Sequence, residues 1–201
     1  MTTRIIYADL HLFGPHAVED CLVDQLFEDV KKYPAGTVVL LGDIIDFKNC
    51  RYKDLPAAHS LYARLKFAVQ KRYYIEGNHE CNKQFTFYLR YLNTLFEHGH
   101  MADWDPKKVE KWYHKEPGCS SRKWWMMRAV KWVRPLVSKV MSKKFTDKCI
   151  NRMMIYTDVV RYICGHKHYN TVQRFSKICS DGIRREVICV PRGRSIIALE
   201  D

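Results

Sequence analysis

A short, mostly apolar run, Arg4–Ala8, stops at Asp9 and predicts a buried strand. Val18, Leu22, Leu26 and Val30 then recur every four residues, the stripe of an amphipathic helix that ends near Pro34-Ala35-Gly36. Thr37–Leu41 reads as a second buried strand, cut off by Gly42-Asp43. A helix capped by Asp54 follows, with Ala58, Leu61, Leu65 and Ala68 or Val69 turned inward. Tyr73–Ile75 is a third strand, ending at Gly77-Asn78-His79-Glu80. Strands alternating with helices in this way build a parallel sheet covered by helices.

Further on, Phe85–Phe96 fits either a pair of strands or a short helix. Val159–Cys164 predicts a strand, and Thr171–Cys179 and Arg184–Val190 flank Ser180-Asp181-Gly182 as a hairpin. Ser195–Leu199 supplies a last strand. The stretch from Trp104 to about Met154 reads as helical. There Trp125, Ala129, Trp132, Val133, Leu136 and Val140 share one side of a helical wheel, and Lys123, Lys131 and Arg134 share the other. Pro135 should divide it into two shorter helices. The expected architecture is a single α/β domain over residues 1–201, interrupted by a helical insert at about 104–154.

Charge sharpens this division. Between Lys107 and Lys148 there are 13 Lys/Arg against 3 Asp/Glu, whereas the rest of the chain is nearly balanced. All five tryptophans (104, 112, 124, 125 and 132) fall in or beside the same basic stretch. At 47% hydrophobic residues the chain is globular rather than disordered. No apolar run approaches the ~20 residues that cross a bilayer. The N-terminus passes directly into Ile5-Ile6-Tyr7 without an h-region, so a cytoplasmic protein is expected. The eight cysteines include no C-x-x-C pair and read as reduced thiols rather than a disulfide framework or a zinc site.

Five polar blocks follow predicted strands or lie in loops that can return to the same sheet edge: Asp9-Leu10-His11, Gly42-Asp43-Ile44-Ile45-Asp46, Gly77-Asn78-His79-Glu80, His98-Gly99-His100 and Gly165-His166-Lys167-His168. In open α/β sheets ligands gather at the carboxyl ends of strands. Carboxylate, imidazole and amide oxygen without thiolate suit divalent ions such as Mn²⁺, Fe²⁺ or Zn²⁺. Glycines beside four of the blocks let the backbone turn sharply and bring ligands together.

These blocks, in this order, resemble the calcineurin-like metallophosphoesterase superfamily, whose pattern is D-x-H, G-D-x-x-D, G-N-H-D/E, H and G-H-x-H. The resemblance covers about residues 4–103 and 159–199 and implies a four-layer αββα sandwich. It also implies two divalent ions, manganese first, with iron or zinc as alternatives. Asp9, His11 and His168 would hold one ion, and Asn78, His98 and His166 the other, with Asp43 bridging both. His98 is preferred over His100 because the family's ligand precedes the glycine. Asp46 and His100 would stand behind the ligands and orient them. The implied reaction is in-line attack of a metal-bridging hydroxide on a phosphate ester or pyrophosphate. His79 would protonate the leaving group or stabilise the transition state, or else serve as a structural histidine on the Asp9 or Asp43 loop.

The Arg-Gly of protein Ser/Thr phosphatases is missing after Asp46, which leads into Phe47-Lys48. Asp9-Leu10-His11-Leu12 is similar instead to the UDP-diacylglucosamine pyrophosphohydrolase branch and to the DNA-end exonuclease branch. The first carries a basic helical lid straight after its H-G block, as here, although it typically has Arg where this chain has His79. The substrate would then be a nucleotide-sugar or a lipid-linked phosphate. For the insert three readings stand: a helical pair packed on the body; a lid or contact with an anionic membrane, through Trp124, Trp125 and Trp132; and a nucleic-acid groove. The apolar stripe ranks membrane contact above nucleic acid, which would set the protein at the inner face of the membrane. A ligand-binding scaffold without turnover is the non-enzymatic alternative, and the oligomeric state is left open.

Overall fold

The computed structural model describes residues 2–18, 20–80, 86–133 and 143–199. The chain opens with β1 (Thr2–Ala8), α1 (Cys21–Lys32), β2 (Val38–Leu41), α2 (Leu55–Ala68) and the short β3 (Tyr74–Ile75). β1 pairs in parallel with β2, and β2 with β3, as the alternation of strands and helices predicts. A late strand, β9 (Gly193–Leu199), returns antiparallel to the free edge of β1, giving the order β3-β2-β1-β9.

On α1, Leu26 is fully buried and Leu22 and Val30 half-buried, while Val18 lies before the helix begins. Asp29 is buried beside them, a carboxylate the apolar periodicity does not mark. It accepts from Tyr7 Oη and Arg194 Nε, each at 2.7 Å, so two donors satisfy it. On α2, Ala58, Leu65 and Tyr62 face the sheet, with Leu61 half-buried. Asp54 stands at the N-cap as expected, but its side chain makes no capping bond and pairs instead with Arg51.

The second sheet contains β4 (Tyr88–Tyr91), β5 (Thr94–Glu97), β6 (Arg161–Cys164), β7 (Gln173–Ile178) and β8 (Arg184–Cys189) in the order β4-β5-β6-β8-β7. The segment that fitted either strands or a helix is therefore an antiparallel strand pair. The β7–β8 hairpin turns where expected, with Gly182 at φ +76°. Alternate residues of this sheet face opposite ways. Phe96, Ile163 and Ile188 pack toward the first sheet. Leu95, Tyr162 and Val187 pack on α6 (Lys143–Met153) through Phe145, Cys149, Ile150 and Met153. Each such fully buried side chain contributes roughly 1.5–3 kcal/mol. The result is helices, sheet, sheet, helix: a four-layer α/β sandwich.

Strands β5 and β6 are parallel neighbours and need a crossover connection. The helical insert is that crossover. It comprises α3 (His100–Asp103), α4 (Pro106–Tyr113), α5 (Ser121–Val133) and α6. On α5, Trp124 is buried, whereas Trp125, Met126 and Ala129 are exposed. The helix thus turns Trp125 and Ala129 outward and anchors itself by their neighbour Trp124. Pro135, Leu136, Val140 and the side chains of Trp132 and Val133 fall outside the described residues.

Candidate metal centre

All five polar blocks leave the carboxyl ends of parallel strands: Asp9 after β1, Gly42 after β2, Gly77 after β3, His98 after β5 and Gly165 after β6. The first two loops are zipped by backbone bonds from Asp9 N to Gly42 O (3.0 Å), His11 N to Asp43 O (2.8 Å) and Leu12 N to Ile44 O (2.9 Å). Asp9, His11, Asp43, His166 and His168 all adopt left-handed φ values between 50 and 67°. For residues carrying a Cβ such conformations cost about 1–3 kcal/mol each and persist only where the surroundings over-determine them.

The glycines divide the two expected tasks. Gly42 and Gly99 turn the backbone at φ +80° and +105°, whereas Gly77 and Gly165 are not left-handed and permit close approach. A Cβ on Gly77 would lie 2.1 Å from Asp43 Oδ1, and one on Gly165 would lie 2.5 Å from Asp9 Oδ2. The candidate ligands themselves share the sharp turning with Gly42 and Gly99.

Three clusters of ligand atoms emerge among the described residues: Asp9 with His11 and His168, Asp9 with Asp43 and His98, and His11 with Asp46 and His79. His11 Nε2 and His168 Nε2 stand 3.2 Å apart, and His168 Nε2 lies 3.1 Å from Asp9 Oδ1. Asp43 Oδ2 is 3.2 Å from His98 Nε2 and 3.8 Å from His11 Nε2, between the two ends of the site. Asp9 Oδ1 and His98 Nε2 are buried yet make no well-directed hydrogen bond. Buried, convergent, under-satisfied donors of nitrogen and oxygen type are what a divalent cation requires. The residues fit a metal.

The electrostatics agree. Burial opposes the charge on Asp43, but His98 and then His79 hold its carboxyl well below the usual range. Burial pulls His98 down, and Asp43 outweighs it, raising this imidazole to about 10. Asp43 thus favours positive charge on this ring, whereas burial lowers His11 and His166 below the usual imidazole value.

His79 Nδ1 lies 2.6 Å from Asp46 Oδ1, and its backbone N–H donates to Asp43 Oδ1 at 2.7 Å. Burial lowers its pKa, but Asp43 and Asp46 more than compensate and raise it to about 9. Asp46 also approaches His11 Nδ1 at 3.6 Å, and so touches both a candidate ligand and His79. Asn78 is buried, and its backbone carbonyl accepts from Trp112 Nε1. The His166 ring lies 5.2 Å from that of His98 and belongs to none of the three clusters; its Nε2 is directed at Asp103 instead. His100 is buried behind His98, with Nε2 3.0 Å from Tyr113 Oη. His168 is exposed, which makes its side of the centre the open one.

Sequence reasoning gave no role to Glu80. Its carboxylate accepts from the backbone N–H of Asp43, Ile44, Ile45 and Gly77 and from Tyr74 Oη, all within 3.1 Å. Burial, and next the charge of Asp43, push this carboxyl up to about 7 against those donors. A carboxylate within a strand-end block was the available signal. No signal marked the way the insert docks. Trp124 Nε1 donates to Phe13 O at 3.3 Å, Gly118 N to Phe47 O at 2.7 Å, and Trp112 Nε1 to Asn78 O. The insert therefore touches each of the first three ligand loops.

A family model described as calcineurin-like phosphoesterase matches residues 3–170, a span that contains all five blocks and the insert. No curated protein matches the chain significantly.

Proposed function

The chain belongs to the calcineurin-like phosphoesterase family, and from that premise we propose that it hydrolyses a phosphate ester or pyrophosphate bond at a dinuclear metal centre. The observation that carries this reading is the meeting of Asp9, His11, Asp43, His98 and His168 in one space, with Asp43 between the two groups. Asp9, His11 and His168 would hold one ion and Asn78, His98 and His166 the other, with Asp43 shared. Such ions neutralise phosphoryl oxygens and generate a nucleophile from water near neutral pH. The nitrogen and oxygen donors favour manganese, with iron or zinc as alternatives.

The chain's own contribution to the chemistry centres on His79. Asp46 accepts at Nδ1, which leaves Nε2 facing Asp43 Oδ2 at 3.9 Å and carrying the second proton. That proton is available to the departing oxygen, so His79 acts as general acid and Asp46 orients it. Asp46 thus works through His79 as well as behind His11.

For the substrate, an apolar cavity of about 490 Å³ between α3, α4 and Phe87 supports a molecule with an apolar part. Trp104 joins it to the centre, with its ring 5.4 Å from that of His166. This favours a lipid-linked phosphate or acylated nucleotide-sugar, as in the UDP-diacylglucosamine hydrolase branch. The nuclease reading gains less support. Lys108 and Lys115 lie over Trp104 and Trp112 at 4.1 and 4.3 Å, occupying ring faces that bases would need. Exposed Trp125 and Met126 with Arg122, Lys123 and Arg128 support contact of α5 with an anionic membrane surface, on the cytoplasmic side. No described helix is long and apolar enough to cross a membrane.

The test is a screen of phosphomonoesters, phosphodiesters, nucleotide-sugar pyrophosphates and DNA with Mn²⁺ and with a chelator. Mn²⁺-dependent turnover of one class supports the proposal. Two bound Mn²⁺ per chain without turnover of any substrate would make the protein a binding scaffold.

A further inference from the structure

Asp103 lies at the end of α3, outside the five polar blocks. Its Oδ2 takes Lys167 Nζ at 2.7 Å and stands 3.5 Å from His166 Nε2. Its Oδ1 lies 3.7 Å from Lys148 Nζ, and Lys148 also donates to the Asp103 backbone carbonyl. One carboxylate thus gathers the loop after β6, the end of α3 and the side of α6. The neighbouring Trp104 meets the His166 ring edge to face at 5.4 Å. His166 is therefore bounded on two sides by consecutive residues of the insert, while its backbone N–H donates to Asp9 Oδ2 at 3.0 Å.

We infer that Asp103 is a positioning residue for His166: it keeps the proton on Nε2 and leaves Nδ1 as the nitrogen that faces a metal. This rests on the reading of His166 as a ligand. The physical reason is general. A ligating imidazole needs one bare nitrogen, and a carboxylate at the other nitrogen fixes both tautomer and ring angle. Lys167 and Lys148 hold the Asp103 carboxylate in place from two sides, at 2.7 and 3.7 Å. The arrangement also links the placement of the insert to the geometry of the metal centre, because α3 and α6 supply the carboxylate and one of its lysines.

The test uses full-length protein labelled with ¹⁵N. Long-range ¹H–¹⁵N spectra of metal-free wild type should show His166 as the Nε2–H tautomer. Asp103→Ala should mix the tautomers and weaken Mn²⁺ binding at one of two sites by ~10–100-fold. Asp103→Asn keeps an acceptor oxygen and the side-chain shape, and should recover most of the tautomer and part of the affinity. It also serves if the alanine variant folds poorly. An unchanged tautomer and unchanged Mn²⁺ affinity in both variants would overturn the inference. Wild type that binds fewer than two Mn²⁺ would instead overturn the dinuclear reading on which it rests, so the two failures are distinguishable.

Discussion

Glu80 and Asp43, thirty-seven positions apart, are joined by a hydrogen bond of 3.0 Å from the Asp43 backbone N–H to Glu80 Oε2. Oε2 also accepts from Gly77 N, and Oε1 accepts from Ile44 N, Ile45 N and Tyr74 Oη. In Glu80→Gln, either orientation of the amide sets its NH₂ against at least two of these donors. Each buried donor left unsatisfied costs about 1–3 kcal/mol. We expect a loss of at least about 2 kcal/mol in urea unfolding, with weaker Mn²⁺ binding because the Asp43 loop is released. A loss below about 0.5 kcal/mol would show that the donors find other partners.

Asp43→Ala removes the one carboxylate placed between both groups of ligands. Metal content and hydrolysis should fall together. Two ions per chain by elemental analysis of the purified variant would refute the bridging assignment.

His79→Ala should retain its metals and lose ~10²–10⁴-fold in rate. The loss should shrink for a nitrophenyl ester, whose leaving group needs no proton, relative to an alkyl ester. Asp46→Asn should show the same dependence on leaving group with a smaller loss, since it weakens the orientation of His79 without removing the acid. Equal losses on both esters would rule out proton donation and leave only charge stabilisation.

The proton on His98 gives a pH dependence with a definite sign. Its folded pKa of about 10 exceeds the ordinary imidazole value, so in the metal-free protein protonation stabilises the fold fully below about 6.5. That contribution is lost as pH rises toward 10. A metal taking Nε2 must displace this proton, so Mn²⁺ affinity should rise across the same window. Calorimetry in two buffers of different ionisation enthalpy should show proton release at pH 7.5 that fades near the upper end. Absence of release at pH 7.5 would contradict the assignment of His98.

If α5 meets an anionic membrane, binding should have a salt-sensitive part from Arg122, Lys123 and Arg128, about 1 kcal/mol per charge. A salt-resistant part should come from Trp125 and Met126, which are 58% and 55% exposed. Trp125→Ala with Met126→Ala should remove the second part and leave hydrolysis of small esters intact. Tight binding to single-stranded DNA without vesicle binding, measured on the same preparation, would favour the nucleic-acid reading.

The strand-helix alternation and the five blocks were legible in the sequence because strand ends are local features. Asp9 and His98 follow their strands directly and Asp43 follows its strand after one glycine, so a linear pattern locates them. Other features depend on contacts between distant residues. Asp29 is buried because Tyr7 and Arg194 reach it from two different strands. Tyr62 faces inward because Glu76 takes its hydroxyl. The helical wheel of α5 was correct in grouping Trp125 with Ala129, but a wheel cannot say which side meets the body. Tertiary bonds such as Trp124 to Phe13 decide that.

Because the helices between β5 and β6 are the crossover itself, they cannot be excised and the sheet left whole. Their two ends are fixed by the sandwich: α3 begins beside His98, and α6 packs against β6 and β8. The stretch between α4 and α6 carries none of the candidate ligands. It is the part of the crossover that a lineage, or an engineer, can exchange without removing any candidate ligand.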